Sequence, residues 1–195
     1  MQAQAKVAEG IHVRRAELED VPAILNIYNE AVLHTTASYD YEPRTLEHRV
    51  GWFEDHLKHD YAVFVAVDST GRVVGWSALN PYHDRMGYRY TAENSVYVSP
   101  DKRGQGIGKL LLAPLIDAAR KRGLHAIIAA IDGSNAASIR LHASFGFEKV
   151  GHFREVGFKF GRWLDVVYME LLLTPGCETG DLTLRSPGAA VCPDE

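Results

Sequence analysis

The stretch 93–111, ENSVYVSPDKRGQGIGKLL, constrains this chain more than any other part of it. It reads as a β-strand, then a short polar turn, then RGQGIG opening an amphipathic helix. Gly104, Gly106 and Gly108 stand at alternate positions of the helix start. Glycines there let the backbone approach a bulky group closely. The first helical turn has free N–H groups and carries the positive end of the helix dipole. Strand, glycine turn and helix start together make an anion cradle, most often for phosphate. Arg103 stands at its mouth. Two nucleotide-binding patterns fail on spacing. GxxxxGK[ST] fails because Gly108-Lys109 is followed by Leu110, and GxGxxG fails because the glycines give GxGxG.

The 195 residues suit one domain with a substantial core. A net charge of −4 gives no sign of a nucleic-acid surface. No apolar run approaches the ~20 residues needed to span a membrane, and the start, MQAQAKVAEG, lacks the apolar stretch of a secretory signal. Both cysteines, Cys177 and Cys192, fall in the C-terminal tail with no neighbouring His. They cannot staple a core and do not suggest a metal site. The expectation is a cytoplasmic chain with two exposed thiols, no metal, no nucleic-acid partner and no membrane insertion.

Residues 1–10 suggest a flexible leader, 11–173 one folded domain, and 174–195 a proline-bearing disordered tail. Strand 11–16 leads to a helix whose stripe is Ile24, Leu25, Ile27, Tyr28, Ala31 and Val32, with Asp20 as N-cap and Pro22 early in the first turn. A second helix begins near Pro43 and runs to about Lys58. Strands are expected at 61–67, 73–79 and 88–98. The helix after the glycine loop runs to about Arg122 and contains Pro114, which predicts a kink. The apolar run 126–131 suits a strand covered on both faces. A helix ending near Gly146 follows, then strands 147–156 and 164–172. The order is β-α-α-β-β-β-α-β-α-β-β, an α/β chain with a mixed central sheet flanked by helices.

R-x-x-G-x-G directly after a strand resembles the acetyl-CoA pyrophosphate loop of the GCN5-related N-acetyltransferases. Asn135-Ala-Ala-Ser138-Ile-Arg-Leu-His142, followed by Gly146-Phe147, resembles the second signature of that superfamily. Helical spacing puts Asn135, Ser138 and His142 on one face. The chain departs from the superfamily at His142, which stands where a tyrosine commonly acts as general acid toward the leaving thiolate. That departure, with TAENSVYV, RLH and VGFKFGRWLD, is similar to the phosphinothricin and methionine sulfoximine/sulfone N-acetyltransferase branch. The resemblance covers residues 11–173 and implies the GNAT acyl-CoA N-acyltransferase fold.

The resemblance further implies transfer of an acetyl group from acetyl-CoA to the α-amine of a small amino-acid analogue, and a homodimer. The cofactor residues it implies are Val96, Tyr97, Val98, Arg103, Gly104, Gln105, Gly106, Ile107, Gly108, Lys109, Asn135 and Ser138. The strand carrying Val96–Val98 splays from strand 126–131 in the family to admit the pantetheine, and its N–H groups are candidates for stabilising an oxyanion. An ammonium must lose a proton before attack. Glu93 is the candidate base, and partial burial would raise its basicity. His142 is a candidate to protonate the thiolate or relay the proton. In one extended strand Arg85, Arg89 and Glu93 would share a face. Two guanidiniums could then clamp a carboxylate while Glu93 meets the amine. Lys159, with Trp163, is expected to close the site, and Tyr39 to line the side-chain pocket. Acetylation of a protein N-terminus or a polyamine, and a non-catalytic acyl-CoA sensor, are the competing readings.

Overall fold

The computed structural model describes residues 10–173. The tail, both cysteines and all of the leader but Gly10 lie outside the described residues. The expected order of elements is found: β1 (His12–Arg15), α1 (Val21–His34), α2 (Leu46–Lys58), β2 (Val63–Val67), β3 (Val73–Pro81), β4 (Thr91–Val98), α3 (Ile107–Lys121), β5 (Ala126–Asp132), α4 (Ala136–Ala143), β6 (Glu148–Lys159) and β7 (Arg162–Leu172). The strands form one sheet in the order β1-β2-β3-β4-β5-β7-β6. All neighbours are antiparallel except β4 and β5.

Apolar periodicity sets the two layers that cover this sheet. Val21, Ile24 and Ile27 of α1 and Phe53 of α2 pack on Val63, Val65, Trp76 and Ala78. On the opposite face Leu112, Leu115 and Ile116 of α3 pack on Leu79, Ala92, Ile127 and Ala129. Thr45 caps α2 by accepting the His48 N–H at 3.2 Å. Asp20 does not cap α1 as expected. Its carboxylate takes the Arg14 guanidinium at 2.6 and 2.9 Å and the Glu17 N–H at 2.8 Å. Residues Leu18–Asp20 form a 3-10 turn that delivers the chain into α1.

Helix α3 runs through Pro114. The proline lacks the N–H that would meet the Leu110 carbonyl. At the next carbonyl, that of Leu111, the buried Ser77 hydroxyl of β3 donates at 3.1 Å. Strands β6 and β7 are longer than their sequence pattern suggests. They meet in a two-residue turn, Phe160-Gly161, with φ of 51° and 73°. Positive φ at both positions matches the twist of a hairpin. The hairpin forms the sheet edge and exposes Val150, Phe153, Val156, Phe158, Phe160 and Trp163.

Two departures shape the site. Strand β4 begins at Thr91, not at Tyr88, and Met86–Tyr88 is a 3-10 turn. Arg85 and Arg89 therefore share no strand face with Glu93, and the alternation expected to align them does not exist. Second, β4 and β5 pair only over Thr91–Glu93 with Ala126–Ile128. Beyond Glu93 the strands part, while β5 stays paired with β7 as far as Asp132. A wedge opens in the middle of the sheet, as the resemblance implies.

Candidate active site

A cleft of about 690 Å³ lies at the start of α3. Val96, Tyr97, Val98, Arg103, Gly104, Gly106, Ile107, Gly108, Lys109, Asn135 and Ser138 all line it. Gln105 does not; its side-chain amide turns back to the Asp101 carbonyl at 3.4 Å. The glycines have distinct tasks. Gly106 stands at the N-cap of α3 with φ 82°, and Gly104 has φ 75°. A Cβ at Gly104 would meet nothing within 4 Å, so this backbone is open to a ligand. A Cβ at Gly108 would lie 2.9 Å from a Leu141 methyl, so Gly108 serves the contact of α3 with α4. The first N–H groups of α3 have no intrahelical acceptor. Lys102, Arg103, Lys109 and Arg140 border the same cleft. Two left-handed glycines, one of them with open space beside it, a helix start and four cations fit a polyanionic diphosphate. Lys102 and Arg140 escaped the sequence reading, although each lies within two residues of a named site position.

The cleft passes into the wedge, a cavity of about 130 Å³ lined by Glu93–Tyr97, Ala129–Asp132, Asn135, Ser138 and His142, with Ala37 at its edge. The Ser99 N–H donates to Val74 on the β3 side at 2.9 Å. Alternation along the strand therefore turns the backbone polar groups of Val96 and Val98 toward the wedge. The side chains sort by parity as well. Glu93 pairs across the sheet with Asn80, and Tyr97 with Trp76, on which it stacks at 4.8 Å. These side chains face α1 and α2. Asn94 faces α4, where its amide Nδ2 meets His142 Nε2 at 2.9 Å.

Glu93 is half-buried, and burial pushes its carboxyl above the ordinary carboxylate range, while the nearby His83 works in the opposite sense. His142 is 3% exposed. Its Nδ1 lies 2.8 Å from the Ser138 carbonyl, so that nitrogen carries the proton and donates it. Burial holds the ring below the ordinary histidine range, hence neutral, and Nε2 accepts from Asn94. The residue named as a candidate acid or proton relay is thus an imidazole whose one proton is donated to a backbone carbonyl.

The other substrate candidates separate. Arg85 and Arg89 are exposed in the turn before β4. Arg89 donates to the Met86 carbonyl at 3.3 Å and stacks 4.5 Å from the Tyr90 ring. Tyr39 reaches the far rim of the wedge, its hydroxyl 3.1 Å from the Asp165 carbonyl and 3.4 Å from Asp132. Burial, with the charge of Asp132, pushes that phenol up to about 12. Its ring fills the space a side chain at Gly157 would need. Lys159 does not close the site with a free ammonium. It is 3% exposed, and Nζ donates to the carbonyls of Val32, Thr35 and Ser38 at 2.7, 3.0 and 2.6 Å. Its task is to fasten the segment after α1, whose Thr35, Thr36 and Ala37 line the cleft. Among the described residues no group of three or more His, Cys, Asp or Glu side chains could hold a metal ion.

Residues 22–147 match the Acetyltransferase (GNAT) family. The chain belongs to that family. The wedge and the glycine loop are thus parts of a GNAT acetyltransferase, and this protein is an acetyl-CoA-dependent enzyme. It is 46% identical over 163 residues to the L-methionine sulfoximine/L-methionine sulfone acetyltransferase of Pseudomonas aeruginosa, covering 84% of this chain and 95% of that one. It is 41% identical over 162 residues to the phosphinothricin N-acetyltransferase of Streptomyces coelicolor, covering 82% and 95%. Among solved structures, the GNAT superfamily phosphinothricin acetyltransferase of Sinorhizobium meliloti in complex with AcCoA superposes with a TM-score of 0.83 at 36% identity, covering 88% of this chain and 92% of that one.

Proposed function

We propose that this GNAT enzyme acetylates the α-amine of a free amino acid whose side chain carries a tetrahedral, oxygen-bearing sulfur or phosphorus. L-Methionine sulfoximine, L-methionine sulfone and L-phosphinothricin are of this kind. The observation that carries the proposal is the placement of Glu93. It is a half-buried carboxylate at the point where β4 and β5 separate, on the face opposite the Asn94–His142 pair. A base on one side of the wedge and a cofactor cleft on the other is the arrangement that acyl transfer to an amine requires.

Acetyl-CoA supplies the activated acetyl thioester. The amides at Arg103–Gly108 and the bordering cations would hold its diphosphate. Backbone N–H groups of Val96 and Val98 would stabilise negative charge on the carbonyl oxygen at the wedge. Glu93 takes the proton from the substrate ammonium, directly or through one water. Its raised affinity for a proton suits that task, because a base works best when its pKa approaches that of the medium. Arg85 and Arg89, in the turn leading into Glu93, would meet the substrate carboxylate from the solvent side. We further propose a cytoplasmic homodimer joined through the exposed apolar face of β6 and β7. Acetylation of phosphinothricin would make the enzyme a resistance factor toward that herbicide.

The test is Glu93→Gln, assayed with this panel of amino acids and with decarboxylated amines. It should lower kcat by about 10²–10⁴-fold while acetyl-CoA still binds. Wild-type kcat/KM should fall as pH drops through the Glu93 pKa, since the protonated carboxyl cannot act as base, and the variant should lose that limb. Near-normal turnover in the variant would remove Glu93 from the chemistry. Equal turnover of decarboxylated amines or peptide N-termini would replace the amino-acid reading with a broader one.

A further inference from the structure

Three buried side-chain polar atoms among the described residues have no hydrogen-bond partner, and one of them, Asn94 Oδ1, belongs to a residue lining the wedge. Asn94 is 7% exposed. A buried acceptor without a donor is costly, so a native protein keeps one only with a reason. The orientation of this amide is not free. The Ser138 carbonyl can only accept, so His142 Nδ1 must carry the ring proton. Nε2 of the neutral ring can then only accept, and its neighbour at 2.9 Å must be a donor. That donor is the Asn94 NH₂ group. Oδ1 is therefore fixed as the unmet end of the amide, at the place where β4 leaves β5. A flip of Asn94 would set its carbonyl against a lone pair on His142.

We propose that Asn94 Oδ1 accepts a hydrogen bond from an amide N–H on the thioester-bearing arm of the cosubstrate, and that His142 aims it. The inference rests on the acetyl-CoA reading above. In that cosubstrate an amide lies two carbons from the sulfur, so an acceptor inside the wedge would set the depth to which the sulfur enters. His142 is then a positioning residue, and the relay runs Ser138 carbonyl, imidazole, carboxamide, cosubstrate. No proton crosses it during turnover.

The experiment measures dissociation constants by calorimetry, without turnover. It uses coenzyme A and an analogue in which an ester replaces the amide nearest the sulfur. Wild-type protein should bind the analogue about tenfold to a hundredfold more weakly, as expected for a lost buried hydrogen bond. Asn94→Ala and Asn94→Leu should bind coenzyme A more weakly by a similar factor and should no longer distinguish it from the analogue. His142→Phe should shrink the discrimination as well, because the amide can then turn over. Wild-type discrimination below threefold overturns the proposal without any variant, as does undiminished discrimination in folded Asn94 variants. If His142→Asn abolishes the basic limb of the pH–rate profile, the ring is an acid and the relay is wrong. If wild-type protein binds no coenzyme A at all, the acetyl-CoA reading itself fails, which is a different result.

Discussion

Replacing Lys159 by Met tests how the hairpin of β6 and β7 supports a cleft built by other elements. The ammonium has three N–H groups and meets three carbonyls, those of Val32, Thr35 and Ser38, at 2.7, 3.0 and 2.6 Å. A hydrogen bond to a charged group is worth about 1.5–3 kcal/mol net. Simple addition overstates the total, because burying the ammonium costs much of the gain, and that burial shows in the lowered pKa of Lys159. Asp40 offsets part of it by favouring the charged form. Met would retain the packing of the aliphatic stem but strand the three carbonyls. Each buried carbonyl left without a donor costs roughly 1–3 kcal/mol. The low end suits this site, since Thr35 is only half-buried and its carbonyl can recruit water. A loss of about 3 kcal/mol lowers Tm by roughly 6–12 °C in a chain of this size. Urea unfolding gives the free energy, and calorimetry with acetyl-CoA gives the affinity. The affinity should fall too, because the fastened segment lines the cleft. A stability loss below about 1 kcal/mol, the range of a surface ion pair, would refute the account of Lys159 as a buried fastener.

Gly106→Val should raise the acetyl-CoA dissociation constant by more than about tenfold, because a β-branched residue resists the φ of 82° that turns the loop into α3. Unchanged affinity in a folded variant would show that the loop does not hold the diphosphate. Trp163→Glu, on the exposed hairpin, should convert a dimer to a monomer in light scattering; a monomeric wild type would remove the interface altogether.

Local signals in the sequence revealed most of this architecture, and the reasons are local. The stripe of α1, the Val- and Phe-rich run of β2 with the turn that follows it, and the glycines before α3 each declare themselves within a dozen residues. The start of β4 did not. Tyr88 and Tyr90 have the composition of a strand, yet a strand needs a neighbour. Strand β3 ends at Pro81, which pairs with Ala92, so the β3–β4 ladder stops there. The chain turns there instead, and the arginine alignment that depended on a longer strand is lost. Partner availability is a tertiary fact, and periodicity cannot contain it.

The site residues divide along the same line. The glycine loop and the Asn135–Ser138 cap are contiguous, and both fall where their spacing puts them. The tasks of Lys159 and His142 are set by groups far away in sequence. Lys159 is bound by carbonyls more than 120 residues earlier, and His142 by an amide 48 residues earlier. Sequence could say that a histidine stands in the position of a common acid. It could not say that the ring would be buried with its proton on Ser138 and its lone pair on Asn94. Once those two partners are present, the single ring proton is held on the Ser138 carbonyl and the free lone pair on the Asn94 amide. The histidine keeps its place on the helix face beside the wedge, but its chemistry is decided by what it touches.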